Sequence, residues 1–255
     1  MALTKSRFNE AVTSEVASVM KAVSAHSDGR SSRRFEAIVL AAGASTRFGA
    51  SKLAAKVAGR PLLAWALEAA SSPPIERIIV AGGRDPLVQE IVGALQCRAC
   101  PIELVEVSTP EFGMGHSLAV AARQLSTPLT GVFVFLGDMP LVRPEMIVRM
   151  ASALRDTDQA VAPFYRGRRG HPVLFAGKSG FDLQKLAGDT GARSLLDGFT
   201  RVTAVEAGFE ILMDVDTNSD LARARDLLGK SSAPRHRAHL SNATCGSQQS
   251  SMPGA

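Results

Sequence analysis

No stretch of this sequence is apolar for long enough to span a bilayer, and the residues after Met1 hold no secretory hydrophobic core. Neither membrane insertion nor export is expected. Cysteine is scarce: three in 255 residues, an odd number that builds no disulfide framework and fits a reducing cytoplasm. Cys97 and Cys100 form a lone C-x-x-C, and only Cys245 remains as a further thiol, so two unlinked thiols is a plainer reading than a zinc site. Aromatic residues make up 5%, too few for platforms on which nucleic-acid bases stack. Acidic residues are absent from 230–255, which carry three Lys/Arg, and residues 1–34 carry six Lys/Arg against three Asp/Glu. The formal charge of +5 therefore belongs to the ends, while residues 35–229 carry a net −1. A basic nucleic-acid face is not expected on the body.

What is present suits one α/β domain: 45% of the residues are hydrophobic, ample for a core. Leu3, Phe8, Val12, Val16, Val19, Met20 and Val23 fall near helical spacing, and a polar run to Arg34 follows. Residues 1–34 thus read as a helical or flexible extension. Residues 231–255, rich in Ser and Ala and without periodicity, read as a disordered tail. Between them, residues 35–230 alternate short apolar runs with helical segments. Strands are predicted at 37–40, 77–80, 102–107, 132–136, 160–163, 173–175 and 202–206. Helices are predicted at 62–70, 86–94, 115–124, 144–154, 192–196 and 219–228. Such alternation implies a mainly parallel sheet with helices on both faces, whose ligands sit at the carboxyl ends of the strands.

The run from Ile38 to Lys52 ends an apolar strand in a small-residue loop, Leu40-Ala41-Ala42-Gly43-Ala44-Ser45, followed by Arg47 and Lys52. Gly43 lets backbone N–H groups approach a polyphosphate, and the two cations can neutralise it. Five residues separate Gly43 from Gly49 and Lys52 does not follow Gly49 directly, so this is not a Walker A loop; nor is it a G-x-G-x-x-G fingerprint. The pattern resembles the signature loop of nucleotidyltransferases. A second apolar run, Val132 to Leu136, ends in Gly137-Asp138-Met139-Pro140. A carboxylate there suits Mg²⁺, which takes one or two carboxylates and fills its remaining sites with water and phosphate; a plain turn former is the alternative. In Met213-Asp214-Val215-Asp216-Thr217-Asn218-Ser219-Asp220, Asp214 and Asp216 share a side if the chain is extended, and Thr217 with Asp220 can cap a helix. Ser219 and Arg225 stand where an EF-hand needs Gly and Glu, which excludes that motif. The loop Gly113-Met114-Gly115-His116-Ser117 suits either backbone reading of a base or plain helix capping. Arg166, Arg168, Arg169 and His171 cluster cations fit for an anionic acceptor, or form a solvated hairpin. Arg193 follows a turn and can reach a phosphate, though the turn needs no function.

Taken in this order, these segments resemble the MobA-like NTP transferase family over about residues 35–230, and within it they are most similar to the molybdenum cofactor cytidylyltransferases. Ala41-Ala42-Gly43, Gly137-Asp138-Met139-Pro140 and Gly170-His171-Pro172-Val173 match that cytidylyl branch. Asn218 and Ser219 depart from the family's Asp-Thr-Pro-Glu-Asp pattern but leave Asp216 in place. The resemblance implies a Rossmann-like GT-A nucleotidyltransferase fold and transfer of CMP from CTP to molybdopterin, with pyrophosphate released. It further implies that Leu40, Ala41, Ala42, Gly43, Ser45, Arg47, Lys52, Gly115 and Ser117 bind the nucleotide. Arg47, Lys52 and Asp138 would be catalytic, Asp138 and Asp216 would hold Mg²⁺, and His171, Arg169 and Arg193 would contact the acceptor. A molybdoenzyme receiving the product is the implied protein partner. A transferase for a sugar phosphate or another cofactor, and a non-catalytic nucleotide-binding chaperone for molybdoenzyme maturation, remain as alternatives.

Overall fold

The structure, a computed structural model, describes residues 33–42, 51–95, 100–189 and 191–230. The predicted helix within 1–34, the tail from 231, the Cys97 thiol and the loop residues Gly43, Ser45 and Arg47 lie outside the described residues.

The chain enters a sheet at β1 (Phe35–Ala41), makes a 3-10 turn at Lys52–Ala54, and forms a small hairpin of β2 (Lys56–Val57) and β3 (Arg60–Pro61). Then come α1 (Leu62–Ala70), β4 (Ile75–Gly82), α2 (Pro86–Ala94), β5 (Ile102–Glu106), α3 (Met114–Ala122) and β6 (Gly131–Leu136). The second half runs α4 (Pro144–Ala153), β7 (Ala160–Tyr165), β8 (Arg168–Arg169), β9 (Val173–Ala176), α5 (Gly177–Asp182), α6 (Arg193–Gly198), β10 (Val202–Glu206) and α7 (Asn218–Lys230).

The main sheet has the order β10-β7-β9-β6-β1-β4-β5, with β8 paired to β7. Pairs β1–β4, β1–β6, β4–β5 and β7–β10 are parallel. The sheet is mostly parallel and flanked by helices, the Rossmann-like GT-A arrangement. Strand β9 runs antiparallel between β6 and β7. Its direction matters, because it brings the start of β9 to the same end of the sheet as the finish of β6.

Apart from Glu36, a buried carboxylate paired with Arg77, central β1 is apolar on both faces, as suits a strand covered from both sides. Side chains alternate. Ala37 and Val39 face a core with Val80, Phe133, Phe135, Leu63 and Leu67, while Ile38 faces another with Ile79, Val132, Val134, Leu118 and Ala122. Helix α2 starts where Asp85 Oδ1 accepts the Leu87 N–H at 2.9 Å and Pro86 occupies the first turn. Helix α7 starts at the predicted capping box: Asp220 Oδ2 accepts from Thr217 N at 2.9 Å, and Thr217 Oγ1 accepts from Asp220 N at 3.2 Å. A third apolar cluster, Val57, Leu62, Leu141, Met213, Val215, Leu221, Ala224 and Leu228, holds α7 and the segment before it against the hairpin and α1. No helix among the described residues is long and apolar enough to cross a membrane.

Candidate active site

Two neighbouring parallel strands define the cleft. The Leu40 carbonyl at the end of β1 accepts the Gly137 N–H at 2.9 Å, which joins the end of β1 to the Asp138 segment. Gly137 is needed for this approach, since a Cβ there would lie 2.9 Å from the Leu40 oxygen and 3.2 Å from Leu63 Cδ1. One residue on, the Asp138 carbonyl accepts the Val215 N–H at 3.2 Å. The Met213–Asp216 segment, anchored by buried Met213 and Val215, is thereby placed beside Asp138 although the two are distant in sequence.

Lys52 closes the arrangement. Its Nζ lies 2.7 Å from Asp138 Oδ2 and 2.5 Å from Asp216 Oδ1. The two carboxylate oxygens can be no farther apart than those lengths laid end to end. That span is compatible with one small divalent ion whose oxygen bonds run about 2.1 Å. Buried Leu53 seats the turn that aims the Lys52 side chain, which is 13% exposed, against 22% for Asp138 and 52% for Asp216. Burial pulls the Lys52 pKa down, but hydrogen bonds to Asp138 and Asp216, and then their charges, outweigh it, so its pKa is raised. The contribution of this ammonium to stability is complete at neutral pH and is lost only in strongly alkaline solution. Asp214 is pushed up, first by burial and then by the charges of Asp216 and Asp138. Asp214 therefore feels the charges of the Asp138–Lys52–Asp216 group.

The donor set fits Mg²⁺ or Mn²⁺ better than an ion needing a protein cage. Among the described residues no three His, Cys, Asp or Glu side chains form a ready cluster, whereas the Asp138–Asp216 pair leaves coordination sites for phosphate oxygens and water. Asp138 Oδ1 is buried without a hydrogen-bond partner, which points to a further ligand at this carboxylate.

The remaining sequence candidates among the described residues make contacts of their own, and of these His171 feels the Asp138 charge. Ala41 and Ala42 are buried at the end of β1, with Leu40 half-buried beside them. Gly115 and Ser117 are buried: the Gly115 N–H donates to the Gly188 carbonyl at 2.8 Å, and the Ser117 hydroxyl donates to the Gly113 carbonyl at 3.3 Å. Gly113 adopts φ 97°, which explains its glycine, while Phe112 and Met114 are the exposed side chains of that loop. His116 Nε2 lies 3.0 Å from Thr109 Oγ1. The predicted cationic hairpin exists, turning at Arg166 (φ 48°) and Gly167 (φ 76°). Arg169 pairs with Asp197 at 2.8 Å, and Arg193 Nε approaches the same carboxylate at 4.0 Å. Asp197 is a residue that sequence reasoning missed; its position four residues after Arg193 on one helix was the available signal. His171 is half-buried next to the sheet. Burial lowers its pKa most, Arg169 adds to that, and the Val134 backbone and the Asp138 charge oppose it.

A family model described as the MobA-like NTP transferase domain matches residues 37–205. Among curated relatives, the bifunctional protein GlmU of Cutibacterium acnes is 36% identical over 121 residues, which are 47% of this chain and 28% of that protein. Among solved structures, Rv0371c of Mycobacterium tuberculosis is similar at 25% identity and TM-score 0.64, covering 77% of this chain and 100% of that one. It has also been solved in complex with manganese, again 25% identical, with TM-score 0.60, 75% of this chain and 98% of that one covered. The molybdopterin-guanine dinucleotide biosynthesis protein A of Archaeoglobus fulgidus shares the fold at 18% identity and TM-score 0.52, covering 76% of this chain and 99% of that one.

Proposed function

Since the chain belongs to the MobA-like NTP transferase family, we propose that this nucleotidyltransferase transfers CMP from CTP to molybdopterin, releasing pyrophosphate. The observation that carries an active, metal-assisted transferase is the Lys52 ammonium held by Asp138 and Asp216 at the carboxyl ends of β1 and β6. The choice of CTP rests on Ala42 and on Gly137-Asp138-Met139-Pro140, which match the cytidylyl branch.

In this reading an oxygen of the acceptor's terminal phosphate attacks the α-phosphorus of CTP, the α–β P–O bond breaks, and a phosphoanhydride forms. The attacking group is already anionic, so no strong base is needed; alignment and charge neutralisation do the work. Lys52 and Arg47 hold the triphosphate. Asp138 and Asp216 hold Mg²⁺, which when bound neutralises charge on the phosphate oxygens. The manganese complex of Rv0371c supports a divalent ion here. Arg169 and Arg193, brought to one carboxylate by Asp197, supply cations on the acceptor side.

The test is pyrophosphate release from each NTP with Mg²⁺, with and without molybdenum-loaded molybdopterin. Release only with CTP and molybdopterin supports the proposal. Release that depends instead on a sugar phosphate moves the acceptor, and no release from any pair leaves the chaperone reading. In direct competition at equal concentrations, CMP transfer is expected to exceed GMP transfer; preferential GMP transfer places the protein in the guanylyl branch.

The proposed catalytic unit is residues 35–230, because neither end of the chain holds a motif residue. A protein trimmed to those residues is expected to unfold cooperatively and to bind NTP like the full chain. Loss of cooperativity on trimming shows that the terminal residues complete the core.

A further inference from the structure

Two side-chain atoms among the described residues are buried with no hydrogen-bond partner: Asp138 Oδ1 and His171 Nδ1. Leaving such an atom unpaired is costly, so each calls for a partner. Both belong to one corner of the fold. Asp138 follows β6, and His171 precedes β9, whose Val173 pairs with Val134 of β6 in the antiparallel register. The Asp138 charge acts on the His171 ring.

The backbone around both residues is tied down. The His171 N–H donates to the Ile211 carbonyl at 2.9 Å, and the Gly170 N–H donates to the Pro163 carbonyl at 2.9 Å. A Cβ on Gly170 would sit 2.3 Å from the Ile211 oxygen, so this close approach accepts only glycine. Four residues after Ile211, Val215 donates to the Asp138 carbonyl. The segment that carries Asp216 therefore braces His171 with one residue and Asp138 with another.

We propose that His171 is a positioning residue for the divalent-cation site, its Nδ1 accepting a hydrogen bond from a water molecule on the cation held by Asp138 and Asp216. The inference rests on the metal role given to those two carboxylates above. It gives His171 a task different from the acceptor contact that its arginine neighbours suggest. A ring nitrogen buried at the end of the sheet that carries the proposed metal carboxylate is poorly placed to meet a solvent-borne substrate, whereas outer partners of this kind fix ligand orientation and typically change metal affinity about 10–100-fold.

The test is Mn²⁺ binding to the full chain without nucleotide, followed by electron paramagnetic resonance, for wild type, D138N, H171A, H171N and H171Q. Thermal unfolding of each variant is recorded alongside. H171A is expected to weaken Mn²⁺ by at least ~10-fold. H171N places a polar atom near the Nδ1 position and is expected to recover most of that loss; H171Q, whose amide reaches the Nε2 position, is not. If H171A fails to fold, the comparison of H171N with H171Q decides the same point. Wild-type Mn²⁺ affinity in H171A, or equal affinities for H171N and H171Q, overturns the proposal while D138N still loses the metal. Wild-type affinity in D138N overturns the metal reading itself, and this inference with it.

Discussion

Asp138→Asn and Asp216→Asn are each expected to lower turnover by at least ~10²-fold, which is about 2.7 kcal/mol of transition-state stabilisation. Each substitution removes a charge and almost no volume, so the packing of Met139 and of Val215 is left as it is. The double variant is expected to lose little more than the worse single variant. The reason is geometric: one oxygen of each carboxylate lies on the same ammonium, at 2.7 Å and 2.5 Å, so both are within reach of one ion. Groups acting through one ion do not contribute independently. Pyrophosphate release at saturating Mg²⁺ and NTP measures the effect. A multiplicative loss near ~10⁴ in the double variant assigns the two carboxylates to separate tasks. A loss confined to Asp138→Asn returns Asp216 to the helix-capping segment that contains it.

Local chemistry explains which parts were legible from sequence. Helices α1 and α2 begin and end where they were predicted, Leu62–Ala70 and Pro86–Ala94. A run without Gly or Pro follows Pro61 in the first, and Asp85-Pro86 writes the start of the second. The apolar runs ending at Leu40 and Leu136 announced strand ends, and with them the places of Ala42 and Asp138. Helix α5 was missed. It opens with Gly177 and contains Gly180, weak helix formers that are retained because Cβ atoms there would meet the Leu129 oxygen at 2.0 Å and Val132 Cγ1 at 2.6 Å. The two-residue strands β2, β3 and β8 are too short to carry a period. The direction of β9 was also unreadable, because Val173-Leu174-Phe175 is equally apolar in either orientation. Yet that direction places His171 at the same end of the sheet as Asp138. The bridge from Lys52 to two carboxylates 86 and 164 residues away depends on tertiary placement, which no local pattern encodes.

Lys52→Met is expected to raise the KM for NTP ~10-fold or more while strengthening divalent-cation binding in the absence of nucleotide. The two effects have opposite signs because, in the proposed reaction, Lys52 serves both the metal carboxylates and the triphosphate. Its ammonium donates to the carboxylates proposed to hold the cation, so ammonium and cation compete for the same oxygens. Triphosphate offers the ammonium a second set of acceptors, and hydrogen bonds to charged groups are worth about 1.5–3 kcal/mol each. Methionine keeps the length of the stem and removes the competition together with the phosphate contact. Without metal the folded state is expected to lose stability mainly at Asp138, since Asp216 is half exposed and water replaces the ammonium there. Mg²⁺ should then raise the melting temperature of Lys52→Met by more than that of wild type, because tighter binding to the native state stabilises it further. A purely structural ion pair predicts a different pattern: a lower melting temperature, with the KM for NTP unchanged within about twofold, under ~0.5 kcal/mol. Titrating Mn²⁺ into both proteins and measuring NTP saturation curves for both separates the two readings. The sign of the cation effect is the more discriminating result, because a lysine that served only the phosphates would leave nucleotide-free metal affinity where it was.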